Sequence, residues 1–212
     1  MNLSYWIGWT FSRCVSATYF RWRAFNAERV PLQGPVILAS NHASYLDPFI
    51  IGSSLHRDIN YLARENLFSL PVFKQILRSW NCVPVDREGG GAAGLKAILD
   101  RLLKGGAIIL FPEGTRSRDG KLKSARPGIG LTVIKSTAPI VPVRIFGTFE
   151  AWGPRIKFPR PKKLFVKFGE PMQFEKLREE AKTCPKPRLK EIYQEVADQL
   201  MAEIAKLEPR AD

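Results

Sequence analysis

Histidine is nearly absent from this chain of 212 residues: His42 and His56 are its two imidazoles, so chemistry that needs a ring titrating near neutral pH has two candidates. Cysteine is scarce too. Cys14, Cys82 and Cys184 stand far apart with no C-x-x-C pair, which argues against a disulfide framework and a zinc site and fits a reducing cytoplasm. No metal-ligand set is visible and no cofactor is expected. A clean membrane span is also missing. Residues 3 to 20 come nearest to the roughly 20 apolar residues that a spanning helix needs, but Arg13 interrupts them, along with Ser4, Thr10, Ser12, Ser16 and Thr18. No basic segment precedes that stretch, so an export signal is not expected. Acids are outnumbered, 20 Asp plus Glu against 33 Lys plus Arg, for a formal net charge of +13. Such a surplus favours an anionic partner: an acidic membrane, a phosphorylated substrate, an acidic carrier protein or nucleic acid.

What is present begins with an amphipathic N-terminal segment. At helical period Leu3, Ile7, Phe11, Cys14, Val15, Thr18, Trp22 and Phe25 share one stripe, with Trp6, Trp9, Arg13, Phe20 and Arg23 opposite. Aromatic residues beside arginine settle at bilayer interfaces, so the segment reads as a helix on the membrane surface, its aliphatic stripe docked on the protein or on acyl chains. Residues 1 to 30 form this interfacial helix and its connector, and residues 31 to 212 one α/β domain. Short apolar runs predict strands at residues 35 to 40, 59 to 63, 82 to 85, 107 to 111, 140 to 146 and 164 to 168. Helices are expected at 47 to 55, 72 to 80, 92 to 104, 128 to 136 and 188 to 206. This alternation implies a mostly parallel or mixed central sheet covered by helices. A basic run, Arg155, Lys157, Arg160, Lys162, Lys163 and Lys167, reads either as a solvated loop or as a face for phospholipid headgroups or an acidic donor.

Two polar clusters stand where buried strands should end, the edge at which open α/β sheets bind ligands. The first is Asn41-His42-Ala43-Ser44-Tyr45-Leu46-Asp47, the second Phe111-Pro112-Glu113-Gly114-Thr115-Arg116-Ser117. His42 is the candidate general base, while His56 reads as an exposed helix exit. Asp47 could hold the second ring nitrogen of His42, although Asp followed by proline is by itself a helix-start signal. Ser44 is near, yet no Gly-x-Ser-x-Gly elbow marks a nucleophile, which favours direct attack by a substrate hydroxyl. The turn at Glu113, Gly114, Thr115 and Arg116 offers backbone amides, a hydroxyl and a guanidinium suited to phosphate. Arg87 is a further cation just beyond a strand.

The two clusters resemble the N-H-x-x-x-x-D and F-P-E-G-T-R-S signatures of the glycerolipid acyltransferase family, its bacterial 1-acylglycerol-3-phosphate acyltransferases in particular. Val83-Pro84-Val85-Asp86-Arg87 is similar to the family's second motif, with Asn81 where glycine is usual, and Ile140-Val141-Pro142-Val143 to its fourth. Ser124 to Gly128 departs from the usual Pro-Phe-Lys and glycine. The resemblance implies catalysis by His42 and Asp47, acceptor binding by Arg87, and glycerol and phosphate contacts from Glu113, Gly114, Thr115 and Arg116. It implies acyl transfer from acyl-CoA or acyl-carrier protein to the 2-hydroxyl of 1-acylglycerol 3-phosphate (lysophosphatidic acid) at the cytoplasmic face of a bacterial membrane. The rival is another lysolipid acceptor; a hydrolase or a non-catalytic basic membrane- or nucleic-acid-binding module would be a different class. No nucleic-acid partner is expected, because most aromatics lie in apolar runs rather than among the basic residues.

Overall fold

The computed structural model describes residues 2–85 and 91–210. Helix α1 (Leu3–Thr18) and strand β1 (Arg23–Phe25) lead into β2 (Val36–Ser40), α2 (Asp47–Ser53), β3 (Ile59–Arg64), α3 (Pro71–Ser79) and β4 (Cys82–Val85). Then follow α4 (Ala92–Leu103), β5 (Ala107–Leu110), α5 (Pro127–Lys135), β6 (Ile140–Phe146), α6 (Thr148–Trp152), β7 (Phe165–Phe168), α7 (Glu175–Thr183) and α8 (Lys186–Lys206). Seven strands make one mixed sheet in the order β1-β7-β6-β2-β5-β3-β4. Five of them, β6 to β4 in that order, are parallel, whereas β7 runs antiparallel to β6 and carries β1 parallel to itself.

Strand β2 shows why this sheet forms. All five of its residues are buried, Val36 and Leu38 against one apolar core and Ile37 and Ala39 against the other. A parallel strand covered on both faces needs such an unbroken apolar run, since no residue points to water. Ile50 and Ile51 of α2 close the first core; Ile98 of α4, Val133 of α5 and Leu200 of α8 close the second. The sheet therefore sends the chain out of β2 through α2 on one face and out of β5 through α5 on the other. Ala39 and Leu110 are paired neighbours, so the two departing loops start side by side and diverge, which opens a crevice at this edge. Asn41 fastens the spot: its side-chain amide donates to the Ile145 carbonyl (3.1 Å) and accepts from the Ile145 N–H (2.8 Å).

The first helix departs from the sequence reading in two respects. It ends at Thr18, short of Trp22 and Phe25, because Phe20 is buried in the core, Arg21 takes a positive φ of 44°, and residues 23–25 pair with β7 as an edge strand. Its faces are also divided differently. Arg13 donates to the Ser53 carbonyl at 2.8 Å and Trp9 to the Leu55 carbonyl at 2.9 Å, while Tyr5 is buried and accepts from the Ile59 amide. The end of a helix leaves its last carbonyls unpaired, and here the Arg and Trp of α1 satisfy the end of α2. The aliphatic stripe is left outward, Leu3 73%, Ile7 55% and Phe11 70% exposed. Within the basic run, Lys167 is buried rather than on the surface: its ammonium donates to the side-chain oxygen Oδ1 of Asn26 and to the backbone carbonyl of Arg210. Asn81, where a glycine was the family expectation, holds a left-handed φ of 57°, which Asn tolerates better than most residues.

Candidate active site

His42 lies two residues beyond the end of β2, and Asp47 is the first residue of α2. The Asp-Pro pair does start that helix, but its carboxylate does not cap it: the α2 N-terminus has no side-chain cap bond. Instead Oδ2 of Asp47 turns back and gathers three donors: His42 Nδ1 at 2.8 Å, the Ala43 amide at 2.7 Å and the Ser44 amide at 2.8 Å. Asp47 is wholly excluded from solvent. A carboxylate only accepts, so Nδ1 of His42 carries a proton, and in the neutral ring the lone pair is on Nε2. Nε2 has no partner among the described residues.

The second cluster holds His42 from the other side. Glu113 Oε1 accepts the His42 N–H at 3.0 Å, and the Ser117 N–H donates to the His42 carbonyl at 2.7 Å. Phe111 stacks on the imidazole with ring centres 3.9 Å apart and planes 15° apart. Backbone and ring are thus fixed by three separate contacts, the support that a site needs if its geometry is to stay within tenths of an ångström. Glu113 is buried, and desolvation pushes its carboxyl above the ordinary range even though the His42 and Lys123 amides pull the other way. Gly114 takes φ +70° in a turn closed by its own N–H to the Phe111 carbonyl, a conformation that side chains resist.

In front of the imidazole lies a cavity of about 220 Å³ lined by His42, Arg64, Thr115, Arg116, Arg118 and Pro154. The Arg116 guanidinium sits 3.5 Å over the ring of Tyr45, and its Nη1 is buried without a partner among the described residues. So the structure brings His42, Asp47, Glu113, Gly114, Thr115 and Arg116 together, with Glu113 set behind the imidazole. Arg87 lies outside the described residues, as does Asp86 before it. Arg64 and Arg118 also line the cavity, and no motif in the sequence marks them. Arg64 ends β3 at the same sheet edge, one residue beyond the expected strand, and Arg118 directly follows the cluster of residues 111–117. Ser44 is fully buried; its hydroxyl donates to the Trp152 carbonyl at 2.7 Å and accepts from the Leu46 amide, so it is committed to structure. Among the described residues no group of three or more His, Cys, Asp or Glu side chains could hold a metal ion.

Fold and site together define an α/β protein with a His held by a buried Asp at the edge of its sheet and a cationic cavity in front of the His. The family profile described as Acyltransferase matches residues 21–146, and the chain belongs to that family. It is 31% identical over 116 residues to the chloroplastic 1-acyl-sn-glycerol-3-phosphate acyltransferase of Arabidopsis thaliana, covering 54% of this chain and 32% of that protein. Against the 1-acyl-sn-glycerol-3-phosphate acyltransferase of Bacillus subtilis (strain 168) it is 30% identical over 127 residues, 59% of this chain and 62% of that one. The chain thus spans less than two thirds of the length of these relatives. The crystal structure of the 1-acyl-sn-glycerophosphate acyltransferase of Thermotoga maritima shares the fold: TM-score 0.72 at 24% identity, over 97% of this chain and 81% of that one.

Proposed function

We propose that this chain transfers a fatty acyl group from acyl-CoA or acyl-carrier protein to the 2-hydroxyl of 1-acylglycerol 3-phosphate, making phosphatidic acid. The observation that carries the reading is the His42–Asp47 pair opening onto a cavity whose other charged lining is Arg64, Arg116 and Arg118. Nε2 of His42 takes the proton of the acceptor hydroxyl as its oxygen attacks the thioester carbonyl. Asp47 keeps the ring in one tautomer and stabilises the imidazolium that forms. When the tetrahedral intermediate collapses, the thiolate leaves and the imidazolium returns the proton to it. The guanidiniums hold the phosphate of the acceptor, for which Arg offers paired donors, with Arg87 assigned to the same task. Glu113 acts as a positioning residue through the His42 amide. Ser44, buried and bonded, supports direct transfer over a covalent acyl-enzyme.

The lipid acceptor also calls for a membrane surface. No helix among the described residues is long and apolar enough to cross a bilayer. The outward stripe of α1 and the exposed cations Arg155, Lys157, Arg160, Lys162 and Lys163 suit the cytoplasmic leaflet of a bacterial membrane, where the donors are found. Mass spectrometry of the products formed by purified protein from several lysolipids, each offered with both donors, tests the reading. Phosphatidic acid should dominate. Equal rates on monoacylglycerol would overturn the phosphorylated acceptor, because the buried Nη1 of Arg116 stays unpaired when the phosphate is missing.

A further inference from the structure

We infer that α3 is a second membrane-docking element, lying with its apolar side in an anionic phospholipid monolayer beside α1; this rests on the membrane reading above and extends it to a segment with no assigned role. On a helical projection Val72, Phe73, Ile76 and Leu77 fall on one side of α3 and Lys74, Gln75 and Arg78 on the other. A helix with so clear a division normally buries its apolar side. In α3 no residue is buried: Val72 is 68%, Phe73 56% and Ile76 38% exposed, and Leu67 and Leu70 just before it are 50% and 60% exposed. A contiguous exposed patch of this kind marks an interaction surface.

The patch continues the stripe of α1. Asn2 donates to the Ser79 carbonyl at 2.9 Å, the Ser4 and Ser79 hydroxyls share a hydrogen bond of 2.8 Å, and Trp80 Nε1 donates to the Ser4 carbonyl at 3.2 Å. The Trp80 ring lies so close to α1 that a Cβ on Gly8 would come within 2.8 Å of it. The start of α1 and the end of α3 are therefore one unit. The exposed stripe begins at Leu3, beside the Asn2 contact, and the exposed side of α3 ends at Ile76, three residues before Ser79.

Charge selects the occupant. Between residues 59 and 85 the single acid is Glu65, against Arg64, Lys74 and Arg78. Lys74 and Arg78 form the polar side of a helix whose other side is apolar and exposed, the arrangement that anionic lipid headgroups accept. A second copy of this chain, itself at +13, would bring like charge to the same face. The connection to chemistry is direct: β3 ends in Arg64, which lines the cavity of His42, and the chain passes from there into the patch. Seating α3 in the monolayer would hold that side of the cavity at the lipid surface.

The test is sedimentation of the full chain with vesicles of mixed anionic and neutral phospholipid, comparing wild type with the double variant Val72→Glu, Phe73→Glu. The variant should bind roughly thirty-fold more weakly, the loss expected when two large apolar side chains no longer enter lipid. Its circular dichroism and its rate on a monodisperse short-chain acceptor should stay at wild type. Lys74→Glu with Arg78→Glu should weaken binding to anionic vesicles and leave binding to neutral ones unchanged. Undiminished vesicle binding by Val72→Glu, Phe73→Glu would overturn the inference. So would a wild-type dimer in sedimentation velocity that this variant alone dissociates, which would make a second copy the occupant. Vesicle binding is read without catalysis, so loss of the acyltransfer reading would show separately, as absent product with binding intact.

Discussion

Valine, isoleucine, leucine and phenylalanine serve two opposite purposes in this chain. Beneath the candidate site, Val36, Ile37, Leu38, Ile108 and Val141 are wholly excluded from water; along α1 and α3, Leu3, Ile7, Phe11, Val72 and Phe73 are each more than half exposed. The first group makes a rigid sheet edge from which two loops grip His42. The second makes no core at all and is bordered by cations, as a surface meant for a second apolar phase would be. On the proposed function one region fixes a proton acceptor and the other meets lipid, so the two should respond to different substitutions.

The largest effect should come from the buried side of that comparison. Asp47→Asn keeps the shape and one accepting oxygen but loses the negative charge that stabilises the imidazolium, and acyl transfer should fall by on the order of 10²-fold or more, with vesicle binding unchanged. Next stand the guanidiniums. Arg116→Ala should cost about 10- to 100-fold in kcat/KM for the phosphorylated acceptor and little for a phosphate-free one, with Arg64→Ala in the same direction; paired-acceptor kinetics measure both. On the exposed side, Ile7→Glu with Phe11→Glu should cut vesicle binding by roughly thirty-fold, as expected for the same kind of change in α3, and spare the rate on a dispersed short-chain acceptor. Equal losses in both assays would show that the two regions are not separable.

The smallest effect is on stability. Burial holds the Glu113 carboxyl above its ordinary range, so the folded state favours the neutral form, and the stability of the wild type falls as pH rises from the ordinary carboxylate range through the raised value. Glu113→Gln removes that cost. At pH 8 its Tm should exceed that of the wild type by about 2–4 °C, the shift that about 1 kcal/mol gives in a domain of this size, and the gap should narrow as pH falls. A lower Tm at pH 8 would mean that the bond to the His42 amide outweighs the desolvation.

The sheet was legible wherever a strand is buried on both faces, because such a strand reads as an unbroken apolar run. β2 and β5 are the clear cases. β1 has three residues and α6 five, too short for any period to register, and α7 buries no residue, so its charged sequence carries no apolar rhythm. His42 and Asp47 could be read because the motif sits at a strand end. Arg64 escaped because it is the last residue of β3 and has no motif around it. The orientation of α1 depended on something sequence does not display: the unpaired carbonyls at the end of α2, which drew Trp9 and Arg13 inward.

The claim at the centre is that an imidazole base acts on the acceptor without a protein nucleophile, and the most direct measurement is the acyl-transfer rate of His42→Ala beside that of Ser44→Ala, with melting and vesicle binding recorded for each. His42→Ala should lose at least about 10²-fold with folding and binding intact, while Ser44→Ala, deprived only of its bonds to Trp152 and Leu46, should slow by less than about tenfold. A His42→Ala protein that keeps more than about a tenth of the rate, or a folded Ser44→Ala protein that is dead, would contradict it.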